Sequence, residues 1–157
     1  MASLTMVSLL LDAADKLIEE RPRSSAFKRR AVSTAYYAVF HALAKSCADC
    51  LLPSSDRSTD AYSRVYRALE HGSLKAAFGK EPLRDHIVLR RIGDLVVPLQ
   101  SERHRADYLP PIKNVFSQRE AKKLVDQARQ AVSAIEALGA TDRRILATSL
   151  LFRVRQP

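Results

Sequence analysis

Apolar positions recur at intervals of three and four along most of the chain, the period of a helix that buries one face. In residues 4–20 that face holds Leu4, Val7, Leu10, Leu11, Ala14, Leu17 and Ile18, and Pro22 ends the run. A second helix is predicted from Ser24 or Ser25, either of which suits an N-cap, to Leu52, with Pro53 as its stop. Rotating its residues by about 100° each separates two arcs. Val32, Tyr36, Val39, Phe40, Leu43, Cys47 and Cys50 form a core arc; Arg30, Thr34, Tyr37, His41 and Lys45 form a polar arc opposite.

Asp60 is placed to cap a third helix over residues 61–78, with Tyr62, Val65, Leu69 and Leu74 inward and Gly72 weakening its later half. Gly79 and Pro82 mark the next turn. A fourth helix begins near Leu83 or Arg84, where Val88, Ile92, Leu95, Leu99 and Ala106 hold a 4-3-4-7 spacing and Glu102 takes a register position suited to an apolar residue. Pro98 removes one backbone donor and predicts a kink ahead of Arg103; Pro110 and Pro111 end the segment. Ser117 and Glu120 form a capping box for a fifth helix, with Val125, Ala128, Val132, Ile135 and Leu138 as its buried stripe and Gly139 as a C′ stop.

These elements predict an all-α fold, an antiparallel up-and-down bundle of four or five helices over residues 1–139. Residues 140–157 read as a basic and partly apolar tail. There the alternation Phe152-Arg153-Val154-Arg155 suits a short strand, a docking arm or a frayed end.

Length changes little in this picture, since 157 residues fit one domain. Charge adds more. Lys and Arg number 26 against 17 Asp and Glu, a net +9 that favours an acidic partner such as RNA or equally describes a soluble protein that is simply basic. Two cysteines are too few for a disulfide framework, and a lone Cys-x-x-Cys lacks the further ligands zinc needs, so Cys47 and Cys50 read as helix packing and no metal or cofactor is expected. The N-terminal apolar run is short and broken by Asp12 and Asp15, so no signal peptide is expected. No run approaches the ~18 apolar residues of a membrane span, and the expected compartment is the cytoplasm.

Two segments carry a resemblance. Arg29-Arg30-Ala31-Val32-Ser33-Thr34-Ala35-Tyr36-Tyr37-Ala38-Val39-Phe40-His41-Ala42 and Arg103-His104-Arg105-Ala106-Asp107-Tyr108 stand in order, with His71 and Leu74 between them. Together they resemble the HEPN superfamily: a basic start leading to Tyr-Tyr-Ala-x-Phe-His, then Arg-x-x-Ala-Asp-Tyr at the end of a later helix. The resemblance implies a helical bundle that dimerises and has an RNA-related role. It implies either a metal-independent endoribonuclease in a toxin–antitoxin or defence system, or a non-catalytic subunit paired with a nucleotidyltransferase or antitoxin. A second copy, RNA and such a protein are therefore the expected partners; a membrane is not.

The family's catalytic pattern is Arg, a polar residue, a few residues, then His. Arg103 and His104 match its first two positions, and Tyr108 stands where the closing histidine would come. Arg64 and His71 are a looser match. Metal-free RNA cleavage needs a base, an acid and a cation against the growing phosphorane charge, roles suited to histidine and arginine. The expected site is accordingly Arg103 on the phosphate, His104 exchanging a proton, and Asp107 and Tyr108 orienting them. Arg30, Tyr37, His41 and Arg105 would bind RNA, Tyr37 by stacking. The structural alternative is that Arg103–Asp107 and His104–Tyr108 are i,i+4 rungs locking a helix end, the first worth roughly 0.2–0.5 kcal/mol. His86, and Lys28, Arg29, Arg30, Arg90, Arg91, Lys122 and Lys123, read as solvated surface.

Overall fold

The computed structural model describes residues 4–155. All its regular structure is helical: α1 (Met6–Glu20), α2 (Ser25–Leu51), a 3-10 turn (Ser54–Asp56), α3 (Asp60–Arg67), α4 (His71–Phe78), α5 (Ile87–Tyr108), α6 (Gln118–Glu136) and α7 (Ala140–Leu151). The all-α class stands, with seven α-helices among the described residues rather than four or five. None is long and apolar enough to cross a membrane.

Side-chain oxygens set most starts. Thr5 and Ser8 cap α1 reciprocally, Ser24 accepts the Phe27 N–H for α2, and Ser117 with Glu120 makes the capping box of α6. Thr59, not Asp60, caps α3. α5 starts three or four residues later than its sequence suggests, because Leu83 is taken into the core by the preceding turn and His86 supplies the cap.

The third expected helix is two helices. Ala68 closes α3, Leu69 is buried, and Glu70 adopts extended backbone ahead of α4. A straight helix could not place both Tyr62 and Leu74 inward while turning His71 toward α2. The break precedes Gly72, which lies in the first turn of α4 with open space around it. The expected tail is also different: its first twelve residues form α7, which packs on α2 and buries Leu146, Ala147 and Leu150. Gly139 therefore caps the start of α7 instead of stopping α6, whose C-cap is Ala137.

α2 is the hub. It packs on α1, α3, α5, α6 and α7. Enclosure on so many sides explains its six buried alanines and Lys28, whose stem is interior rather than solvated. Along its middle, Thr34, Tyr37, Phe40 and His41 keep partial solvent contact between exposed Arg30 and Lys45, so the polar arc is real but narrow. α5 runs antiparallel to α2: its C-terminal end meets Arg29, and Arg103, further back, meets Tyr36 and Tyr37. It continues as one helix through Pro98. Its buried line is Leu89, Ile92, Val96, Leu99 and Ala106; Val88 is exposed and Leu95 half-buried, one position off the expected register at its start.

Candidate functional site

The expected catalytic set divides into two groups. Arg103 turns inward, leaving 11% of its side chain exposed, and its Nη1 meets Asp107 Oδ2 at 3.5 Å. Its guanidinium carbon lies 5.2 Å from the ring centre of Tyr36 and 6.0 Å from that of Tyr37. Stacked cations of this kind contribute roughly 0.5–2 kcal/mol as solvent is excluded. His104 and Tyr108 lie on the exposed side of α5, their rings 4.8 Å apart, with Tyr108 67% exposed. No hydrogen bond or ion pair links His104 to Arg103 among the described residues, so this chain by itself does not assemble Arg103, His104, Asp107 and Tyr108 as one set.

The fold brings other groups to Arg103. His71, the first residue of α4, stacks on Phe40 with ring centres 3.8 Å apart and meets the edge of Tyr37 at 5.6 Å. Its Nδ1 is 2.8 Å from the Tyr36 hydroxyl. Its backbone carbonyl accepts from Gln100 Nε2, which ties α4 to α5. One turn along α2 from Tyr37, His41 Nδ1 is 2.6 Å from the Tyr66 hydroxyl of α3. Each histidine thus has one ring nitrogen held by a tyrosine. Nε2 of each has no partner among the described residues, and both histidines are partly exposed.

Electrostatics follow from this enclosure. Burial, then the charges of Arg103 and His41, hold His71 below the usual histidine value, and burial does the same to His41. Burial pushes Tyr36 up to about 12, against the opposing charge of Arg103, so its hydroxyl stays protonated. Burial also raises Tyr66. Both rings are therefore predominantly neutral at pH 7 beside a permanent cation. Two buried polar atoms on the same stretch of α5, Arg103 Nε and Gln100 Oε1, have no hydrogen-bond partner.

Beyond Asp107 a groove of about 590 Å³ opens between the start of α2 and the end of α5, lined by Arg29, Arg30, Ala106, Asp107, Ile112 and Lys113 among others. Arg30 is exposed on its wall. Arg29 is not a solvated surface cation: its Nε donates to the Ala106 carbonyl at 2.6 Å, and its two terminal nitrogens to those of Leu109 and Pro110. Arg105 faces elsewhere, paired with Glu102 at 2.7 Å and lying over Phe116 at 5.4 Å.

Of the expected residues, Tyr37 lies beside Arg103, His41 one turn along α2 and Arg30 on the groove; Tyr66, Gln100 and Lys113 are not among those expected. Sequence reading has His71 only as half of a spacing. A helical arc cannot reveal that a histidine from a separate short helix will cap a tyrosine of another. Arg64 and His71, the looser pair, stand on different helices with Arg64 exposed. His86 bridges two helix starts, its Nδ1 accepting from Leu89 N–H and its Nε2 3.1 Å from Asp142. Cys47 is buried, its thiol pushed up to about 12 by burial and the neighbouring Cys50, which suits packing rather than ligation.

No family model, curated protein or solved structure matches this chain.

Proposed function

We propose that this chain is an RNA-directed helical bundle of the HEPN kind, with Arg103 as its phosphate contact and metal-independent RNA cleavage as its activity. One observation carries the reading: a permanent cation, Arg103, shares an aromatic cluster with two partly exposed histidines, each held at Nδ1 with no partner on Nε2 among the described residues. That is the cation plus proton-transfer inventory that cleavage of a phosphodiester by its own 2′-hydroxyl requires. The groove with Arg30 and Lys113 leads away from Asp107 and supplies cations for neighbouring phosphates, while the net charge of +9 favours an anionic chain. The long Arg103–Asp107 pair is weak enough for a phosphate, with its stronger charge and bidentate geometry, to compete for the guanidinium.

The test is binding and turnover of single-stranded and hairpin RNA, in chelator, between about 50 and about 200 mM salt. The expected result is salt-dependent binding and slow cleavage, both reduced by Arg103→Ala. RNA that neither binds nor is cut overturns the reading. A second reading, a non-catalytic subunit that docks a second copy or a nucleotidyltransferase-like partner, is favoured by the exposed apolar side chains Leu4, Met6 and Leu9 at the start of α1. Sedimentation equilibrium of Leu9→Glu against the unaltered chain tests it.

A further inference from the structure

We infer that His71 and His41, from two different helices, are the acid–base pair of this site, in place of a histidine following Arg103 on α5. The inference rests on the RNA reading above and names the groups that would perform its chemistry.

Three features of the geometry support it. Both rings are held rigidly: His71 by the Phe40 stack and the Tyr36 hydroxyl, His41 by the Tyr66 hydroxyl. In both, the held atom is Nδ1, which leaves Nε2 as the working nitrogen. Both rings flank Phe40, with His41 at 6.3 Å and His71 at 3.8 Å from its ring centre, so they border one patch of surface. Arg103, with 11% of its side chain exposed, stacks beside this cluster on Tyr36 and Tyr37.

The partners are hydroxyls, and that choice matters. A carbonyl or carboxylate on Nδ1 accepts only, so it fixes a proton there. A tyrosine hydroxyl donates to a bare Nδ1 and accepts from a protonated one, so it accompanies the ring through both protonation states. A general base that must become a general acid needs that freedom. Tyr36 stays protonated throughout, as its raised value of about 12 requires.

In the step this defines, the 2′-oxygen bonds to phosphorus as its proton passes to Nε2 of one histidine. The bond from phosphorus to the 5′-oxygen breaks as the other histidine, arriving protonated, gives that oxygen its Nε2 proton. The products are a 2′,3′-cyclic phosphate and a 5′-hydroxyl, with no oxidant or co-reactant. Arg103 sits against the non-bridging oxygens. The charged and titratable groups facing the two rings are Arg103 from α5, Tyr36 and Tyr37 from α2, and Tyr66 from α3; no carboxylate is bonded to either ring among the described residues. A pair held low in this way works with an optimum on the acid side of 6.5.

The experiment compares the full chain with His71→Asn, His41→Asn and Tyr36→Phe on a labelled single-stranded RNA in chelator. Binding is measured on the same sequence with 2′-deoxyribose, which cannot react. Expected are a fall in cleavage of about 100-fold or more for each histidine variant, and binding within about twofold. Product ends should be 2′,3′-cyclic phosphates, and the pH–rate bell of the unaltered chain should peak below about 6.5. In Tyr36→Phe the bell should shift, since Nδ1 loses its partner. This readout needs no histidine variant to fold. Binding without cleavage by the unaltered chain, histidine variants cleaving within threefold of it, or a rate that only rises through pH 8 overturns the acid–base assignment and leaves RNA binding standing. Absence of binding overturns the RNA reading itself.

Discussion

Arg29 Nε donates to the carbonyl oxygen of Ala106 across 2.6 Å, although 77 residues separate them. With its other two nitrogens on Leu109 and Pro110, one guanidinium satisfies three carbonyls at the end of α5, where a helix leaves its last acceptors unpaired. The same residue thus closes α5, holds it against α2 and forms the wall of the groove beside Asp107.

Arg29→Ala should therefore destabilise the chain by about 2–4 kcal/mol, since charge-assisted bonds contribute roughly 1.5–3 kcal/mol each and share one side chain. Arg29→Lys should recover less than half, because an ammonium cannot present the planar fork that reaches all three carbonyls. Urea unfolding followed by circular dichroism measures both.

Asp49 predicts an acid-sensitive region. Burial acts to raise its pKa, but hydrogen bonds from Arg57, Tyr62 and Lys45 outweigh burial and bring it to about 2. A carboxylate whose value is lower folded than unfolded adds stability that is fully present above about pH 4 and lost as pH falls toward 2. The melting temperature of the unaltered chain should fall more steeply from pH 5 to pH 2 than that of Asp49→Asn, with the two curves converging at the acid end.

Two glycines should respond oppositely to alanine. A Cβ at Gly93 would stand 2.8 Å from Phe78 Cδ1, inside contact distance of a buried ring. Gly93→Ala should cost about 1–3 kcal/mol of overpacking, more than the helix propensity it gains. At Gly72 nothing lies within 4 Å, and Gly72→Ala should stabilise by about 0.5–1 kcal/mol. Thermal melts of both variants decide it.

α7 should prove integral. Ending the chain at Gly139 would expose the surfaces that Leu146, Ala147 and Leu150 cover and remove Asp142 from His86. The shortened chain should aggregate or lose its cooperative unfolding transition. Within the full chain, His86→Ala should cost about 1 kcal/mol as α5 loses its cap.

Basic residues of the groove should act by charge rather than by identity. Arg30→Ala and Lys113→Ala should each flatten the dependence of log RNA affinity on log salt by about 0.7, one phosphate contact on a single strand, across unrelated RNA sequences. An unchanged slope in both variants would remove the groove from the RNA path.

Local rules account for what was legible in the chain. The capping boxes, the proline stops and the three-four apolar period concern residues a few positions apart, so α1, α2 and α6 emerge close to their observed bounds. The Arg103–Asp107 pair was likewise readable as an i,i+4 contact, and Tyr37 and His41 as one face of α2. The period failed over residues 61–78, where the buried positions of two short helices mimic one, and over residues 140–151, where basic residues interrupt an apolar face that α2 covers.

By itself, then, the sequence determined an all-helical chain, the bounds of α2 and the start of α6, and a short inventory of arginine, histidine and tyrosine available for chemistry. Tertiary structure alone decided that α2 is enclosed on nearly every side, that Arg29 is spent on carbonyls, and that His71 arrives from α4 beside Arg103. The physical reason is range: helix propensity and capping act within a turn or two, whereas which side chains share a desolvated cluster depends on how separate helices pack.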